Sequence, residues 1–144
     1  MAQTSNDQTL LPAVAELAAG RNFAAVATMF PSGMIQNQIM WVNVRDGKIA
    51  LNTETHRKRF RNLGADPRIT VLIRDEQDPQ RYAEVRGEVT ETITGPAARA
   101  HINELSRKYG GFDFPDEAIK SERVILVVTP RRQAFIDQHT DLSD

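Results

Sequence analysis

The 144-residue chain contains no cysteine. That excludes disulfides, thiolate nucleophiles and sulfur-based metal sites, and a cytoplasmic location is expected. An excess of one charge is also missing. Eighteen Lys and Arg stand against 19 Asp and Glu, for a formal net charge of −1. Proteins that bind nucleic acid through its phosphates carry a broad basic face, so no nucleic-acid partner is expected. Aromatic residues make up only 6 %, with a single Trp. They offer no stacking platform beside a wide basic surface, as single-stranded nucleic acid requires. No apolar run approaches the roughly 20 residues that cross a bilayer, so no membrane association is expected. The stretch MAQTSNDQTLLPAVAELAAG lacks a basic start followed by a long apolar run, and no signal peptide is expected in it. His56, His101 and His139 are too scattered for metal spacing, and no hydrolase nucleophile motif occurs. Hence no metal site and no catalytic acid or base are named.

What is present suits one globular domain: 40 % hydrophobic and 26 % charged residues in a length that can bury a core. Leu10, Val14, Leu17 and Ala18 recur at helical spacing before Gly20. Residues 22–30 read as a strand, closed by the turn Pro31-Ser32-Gly33. Residues 34–44, MIQNQIMWVNV, read as one strand whose apolar pattern is broken by Gln36, Asn37 and Gln38. Asp46-Gly47 marks a hairpin turn into a strand at 49–53. A basic helix follows and ends near Gly64. Strands are expected at 68–74, 81–93, 123–130 and 133–137. Pro96 opens a helix with the stripe Ala98, Ile102, Leu105 and Tyr109, which Gly110-Gly111 ends. Residues 115–122 suggest one helical turn. Residues 1–8 and 138–144 are expected to be flexible tails of a single domain, 1–144. Short connections favour antiparallel neighbours, so the expected fold is mainly β with appended helices (α+β): a small, closed or nearly closed antiparallel barrel.

One stretch does not fit ordinary helix design. TETHRKRFRNLGADPR, residues 53–68, puts Arg57, Lys58, Arg59 and Arg61 at a helix start. The helix dipole is already positive there, and each such cation costs about 0.3–1 kcal/mol. An anion docked at that end would accept the unpaired first-turn N–H groups and neutralise the side chains at once. Arg can meet a phosphate with two parallel bonds. The competing reading is a solvated face partly offset by Glu54 or Asp66. Gln36, Asn37 and Gln38 also have two readings. Buried amides need partners, which a heteroaromatic ligand would supply, and an edge strand facing water would satisfy them equally well.

IMWVNVRDGKIALNTETHRKRFRNLGADPRITVLI followed by DPQRYAEVRGEVTE resembles the pyridoxamine-phosphate-oxidase-like family of split β-barrels. Within it, the chain is most similar to small single-domain oxidoreductases that use coenzyme F420, a deazaflavin. The likeness spans about residues 20–130. It implies a small antiparallel split β-barrel and a homodimer with two cofactor sites at the interface. By position, Gln38, Ile39, Met40 and Trp41 would line the ring. Asn52 and Thr53 would lie beside the ring and ribityl chain. Arg57, Lys58 and Arg59 would hold the phosphate, with Asn62 following on the same helix. Tyr82 would reach the cofactor from the partner subunit.

The implied activity is hydride transfer between coenzyme F420 and a small organic substrate. FMN is the alternative cofactor, since both carry one phosphate near the ribityl chain. A non-catalytic flavin, deazaflavin or tetrapyrrole-binding protein is the alternative of another class. Arg21, Arg81 and Arg86 are candidates for contacting the F420 tail, although single Arg residues more often pair at the surface. Pyridoxamine-phosphate oxidases proper carry a C-terminal Arg-rich segment with a Trp. This chain reads QAFIDQHTDLSD there, so vitamin-B6 oxidation is not expected.

Overall fold

A computed structural model describes residues 2–5 and 8–139. In chain order the elements are β1 (Ala2–Ser5), α1 (Pro12–Ala19), β2 (Ala24–Met29), β3 (Ile35–Met40), β4 (Asn43–Arg45), β5 (Lys48–Glu54) and α2 (Lys58–Ala65). There follow β6 (Arg68–Arg74), β7 (Arg81–Ile93), α3 (Pro96–Gly110), a short 3-10 turn (Asp116–Ala118) and β8 (Arg123–Asp137). The strands form one antiparallel sheet in the order β3-β2-β6-β7-β8-β5-β4, and β1 pairs with β8 beside that path. The sheet curls on itself but does not close. The strands at the two ends of that path, β3 and β4, are successive in the chain, yet no ladder joins them among the described residues. The fold is thus a split barrel, mainly β with helices attached.

Its interior holds alternate residues of the strands, among them Val26, Ile49, Leu51, Val71, Ile73, Val85, Leu126 and Val128. A second apolar layer lies outside, where Ala98 of α3 covers Ala50, Ile125 and Val127. That explains why 124–128 is apolar without alternation: one parity faces the barrel and the other faces α3. Gln133 is wholly buried in β8. Its Oε1 accepts from Leu11 N at 2.8 Å and its Nε2 donates to Thr9 O at 2.8 Å, which anchors the lead into α1.

Several expected boundaries shift, each for a physical reason. Residues 34–44 are two strands with a corner at Trp41-Val42. Tyr109 Oη meets both Val42 N and Val42 O at 3.2 Å, and Lys108 Nζ donates to the same carbonyl. Side chains of α3 thus satisfy the backbone groups that a continuous ladder would use. Residues 123–137 form one strand that tolerates Pro130, because a register shift with β7 falls at Arg86/Gly87. Gly87 is required there, since a Cβ would stand 2.2 Å from Thr129 O. Ala2–Ser5 adds a strand where a loose segment was expected; with 34–44 divided and 123–137 joined, the seven expected strands become eight. Of the expected tail 138–144, only Gln138 and His139 lie among the described residues. The Arg45–Lys48 hairpin has Asp46 and Gly47 at φ 51° and 74°, the two-residue loop the sequence predicts.

Candidate functional site

The end of β5, the start of α2 and the start of β8 meet beside the Trp41 corner. Glu54 and Arg123 are register partners, which fixes the junction of the two strands. A cleft of about 270 Å³ opens there. Phe23, Trp41 and Phe114 line it together with Ile102 and Leu105 from α3. Trp41 stacks on Tyr109 at 5.3 Å between centroids and meets Phe114 edge-on at 6.5 Å. The indole is half-buried, packed on one face and lining the cleft with the rest. Asn52, Arg57, Arg59 and Arg123 supply its polar lining.

The three guanidinium groups lie near enough to perturb one another. Arg59 Nε donates to Thr53 Oγ1 at 3.0 Å, and its Nη1 donates to Gln38 Oε1. Burial lowers the Arg59 pKa from its ordinary value, and the charges of Arg57 and Arg123 lower it further. Burial likewise lowers that of Arg123, where Glu54 opposes the effect and Arg57 and Arg99 add to it. The Arg57 side chain has no acidic partner among the described residues. No side chain caps α2, and its first turn contains no acidic residue.

Glu54 is the buried carboxylate of the junction, at 3 % exposed. Burial acts to raise its pKa, but backbone N–H groups of Lys120 and Ser121, each at 2.8 Å, and Arg123 Nη1 at 2.9 Å hold it below the usual value. Its charge is therefore committed inward. His56 Nδ1 lies 2.6 Å from Ser121 Oγ and 3.3 Å from Glu54 Oε2. Both contacts use one ring nitrogen, so these residues cannot work as a nucleophile-base-acid relay.

Behind the cleft runs a ladder of neutral polar groups. Asn52 Nδ2 donates to Ala98 O and to His101 Nδ1, each at 3.0 Å. Asn52 Oδ1 accepts from Arg123 Nε at 2.7 Å. His101 Nε2 completes the ladder by donating to Asn43 Oδ1 at 2.8 Å. Burial lowers the His101 pKa to about 4, helped by the charges of Arg45, Arg123 and Lys108. The ring is neutral near pH 7.

Of the residues expected at the site, Ile39, Met40, Trp41, Asn52, Arg57 and Arg59 line the cleft. Gln38 and Thr53 border it as partners of Arg59. Three lie elsewhere in the chain. Lys58 Nζ rests 5.9 Å from the centroid of Phe30. Asn62 is buried behind α2, where it donates to Thr28 Oγ1 at 3.1 Å. Tyr82 sits on β7 between Arg74 and Ile136, away from the cleft. Arg21, Arg81 and Arg86 also lie off the cleft, bonded to Tyr109 O, Asp75 and Glu84.

Arg123, Phe114, Phe23, Ile102 and Leu105 line the cleft without having been expected there. An Arg heading an otherwise apolar strand was the available signal for Arg123. Ile102 and Leu105 belong to a stripe that reads as core. Among the described residues no cluster of His, Cys, Asp or Glu could hold a metal ion, and no helix is long and apolar enough to cross a membrane.

The family described as pyridoxamine 5'-phosphate oxidase matches residues 10–137. No protein in the curated comparison matches the chain. Among solved structures, an F420 reductase is 29 % identical with a TM-score of 0.76, covering 86 % of this chain and 98 % of its own. A conserved hypothetical protein from Mycobacterium tuberculosis is 23 % identical with a TM-score of 0.73, over 99 % and 94 % of the two chains. A pyridoxamine 5'-phosphate oxidase-related, FMN binding protein from Nostoc punctiforme is 17 % identical with a TM-score of 0.68, over 92 % and 88 %. The last two likenesses speak for the fold alone.

Proposed function

Since the chain belongs to the pyridoxamine 5'-phosphate oxidase family, we propose that it is an oxidoreductase moving hydride between coenzyme F420 and a small conjugated or quinone-like acceptor. The observation that carries this reading is the gathering of Arg57, Arg59 and Arg123 beside an aromatic-walled cleft. Burial and mutual repulsion work against charge on Arg59 and Arg123. A bound phosphate would reverse that and would also meet the uncapped start of α2. The donor set therefore suits a phosphorylated cofactor.

The preference for F420 over FMN rests on the F420 reductase at 29 % identity, because the basic cluster suits either phosphate. When bound, the deazaflavin supplies the hydride. The chain's own residues bind and orient it. Ile39, Met40 and Trp41 form the apolar bed for the ring, Thr53 keeps Arg59 turned to the phosphate, and Phe23 and Phe114 exclude water. No side chain is needed as acid or base. The active form is a homodimer, supported by the exposed apolar edge at Ile35 and Ile39. In it the partner subunit contributes the strand around Tyr82.

Titration of the purified protein with F420 and with FMN, followed by fluorescence, tests the proposal. Micromolar binding of F420, tighter than that of FMN, is expected. Replacing both Arg57 and Arg59 by Ala should weaken it by a few kcal/mol, at about 1.5–3 kcal/mol for each charge-assisted bond. Tighter binding of FMN would reassign the cofactor, and binding of neither would overturn the reading.

A further inference from the structure

Arg123 is held more firmly than neutralising Glu54 requires. Its Nη1 bonds Glu54, its Nε bonds Asn52, and its Cζ lies 5.2 Å from the Phe114 ring centroid. Two of the three guanidinium nitrogens and one face are thus engaged. Nη2 has no acceptor among the described residues, where every fully buried side-chain nitrogen or oxygen does have a partner. Nη2 therefore opens on the cleft that Arg123 lines.

The ladder behind it has one chemically consistent arrangement. Asn52 spends both amide hydrogens on Ala98 O and His101 Nδ1, which turns its Oδ1 toward Arg123 Nε. His101 can accept from Asn52 and donate to Asn43 only as the neutral tautomer with its hydrogen on Nε2. The chain of bonds runs from β4 through α3 and β5 to β8. It ends on a cation facing a cleft that already contains two others.

We infer that Arg123 is a third guanidinium contacting the ligand's phosphate, and that Asn52 and His101 are positioning residues that act through it. This rests on the reading of the cleft as a phosphate site. It also gives Asn52 a different task from the one the family resemblance implies: its N–H groups are used within the protein and do not reach the ring.

Equilibrium binding separates these roles. FMN is compared with riboflavin, and F420 with its phosphate-free deazaflavin nucleoside, so that only the phosphate differs within each pair. Arg123→Gln should weaken the phosphorylated ligand by roughly tenfold or more, as expected for loss of a charge-assisted bond, and leave its phosphate-free partner within about twofold. His101→Leu should do the same to a lesser degree. His101→Asn, which can offer an acceptor where Nδ1 stands, should recover most of the loss. Should Arg123→Gln fail to fold, Arg123→Lys keeps a charge near Glu54 without the planar fork and should still weaken phosphate binding severalfold.

Unchanged phosphate binding in the Arg123 variants, alongside a loss in the Arg57→Ala/Arg59→Ala protein, would overturn this inference and leave the cofactor site standing. Equal losses for both members of a pair would reduce Arg123 to a structural role and overturn it too. No phosphate dependence in any variant, or no binding by the native protein, would remove the site itself.

Discussion

His101 shows how far one residue's surroundings can depart from what its neighbours in sequence suggest. It lies beside the apolar stripe of its helix and reads as an ordinary packed or partly exposed His. In the fold it is 3 % exposed and bonded on both ring nitrogens. Its pKa is lowered to about 4, whereas the unfolded chain titrates near 6.5. Between those values the unfolded state binds a proton that the folded state refuses, so stability falls as pH drops through that window. The loss from this group should reach about 2 kcal/mol by pH 5. Glu54 has a depressed pKa, and its contribution fades only as pH falls below the usual carboxylate range. Urea unfolding between pH 7 and 5 therefore reads mainly histidine titration. The pH dependence in that range should be shallower in His101→Asn than in the native protein, and equal slopes would contradict it. Arg57 and Arg59 were legible because misplaced charge is a local signal. Arg123 was not, because its meaning comes from Glu54 across a ladder and from an amide fixed by a third element.

Elements set by local pattern were legible at nearly their true bounds. The alternation of 81–93 and the run 68–74 match β7 and β6 residue for residue, and Pro96 and Gly110-Gly111 bracket α3. The corner that divides 34–44 was not legible, since Tyr109 and Lys108 create it from more than 60 residues away. That corner is what turns Trp41 into the cleft. Lys108 serves two elements together: its Nζ donates to Ala18 O and Ala19 O, each at 3.2 Å, as well as to Val42 O. It therefore closes the end of α1, which has no basic residue in its own last turn. Lys108→Met keeps the apolar stem and removes three carbonyl partners. It should lower stability by about 1–3 kcal/mol, visible as a fall of several degrees in Tm. An unchanged Tm would mean that water replaces the ammonium at both carbonyl clusters without loss.

At the scale of the whole molecule, one exposed surface is conspicuously apolar. Ile35 and Ile39 on the edge strand β3 are 64 % and 66 % exposed, and Met34 beside them is 69 % exposed. Ile39 aligns with Ala25 and then with Leu72 across β3, β2 and β6, so small residues leave a shallow apolar band along the sheet. A band of this kind on a soluble domain marks a contact surface. A second copy of the chain is the occupant expected, and the same Ile39 lines the cleft. Dimer formation would then cover the open side of the cofactor site, which links assembly to binding. In sedimentation velocity the native protein should be a dimer at micromolar concentration. Ile35→Glu places a charge in the band outside the cleft lining and should shift it to monomer, with weaker binding of F420 or FMN although the cleft's own side chains are intact. A monomeric native protein that still binds its cofactor at micromolar affinity would separate the two, and would leave the apolar edge as a surface for some other partner.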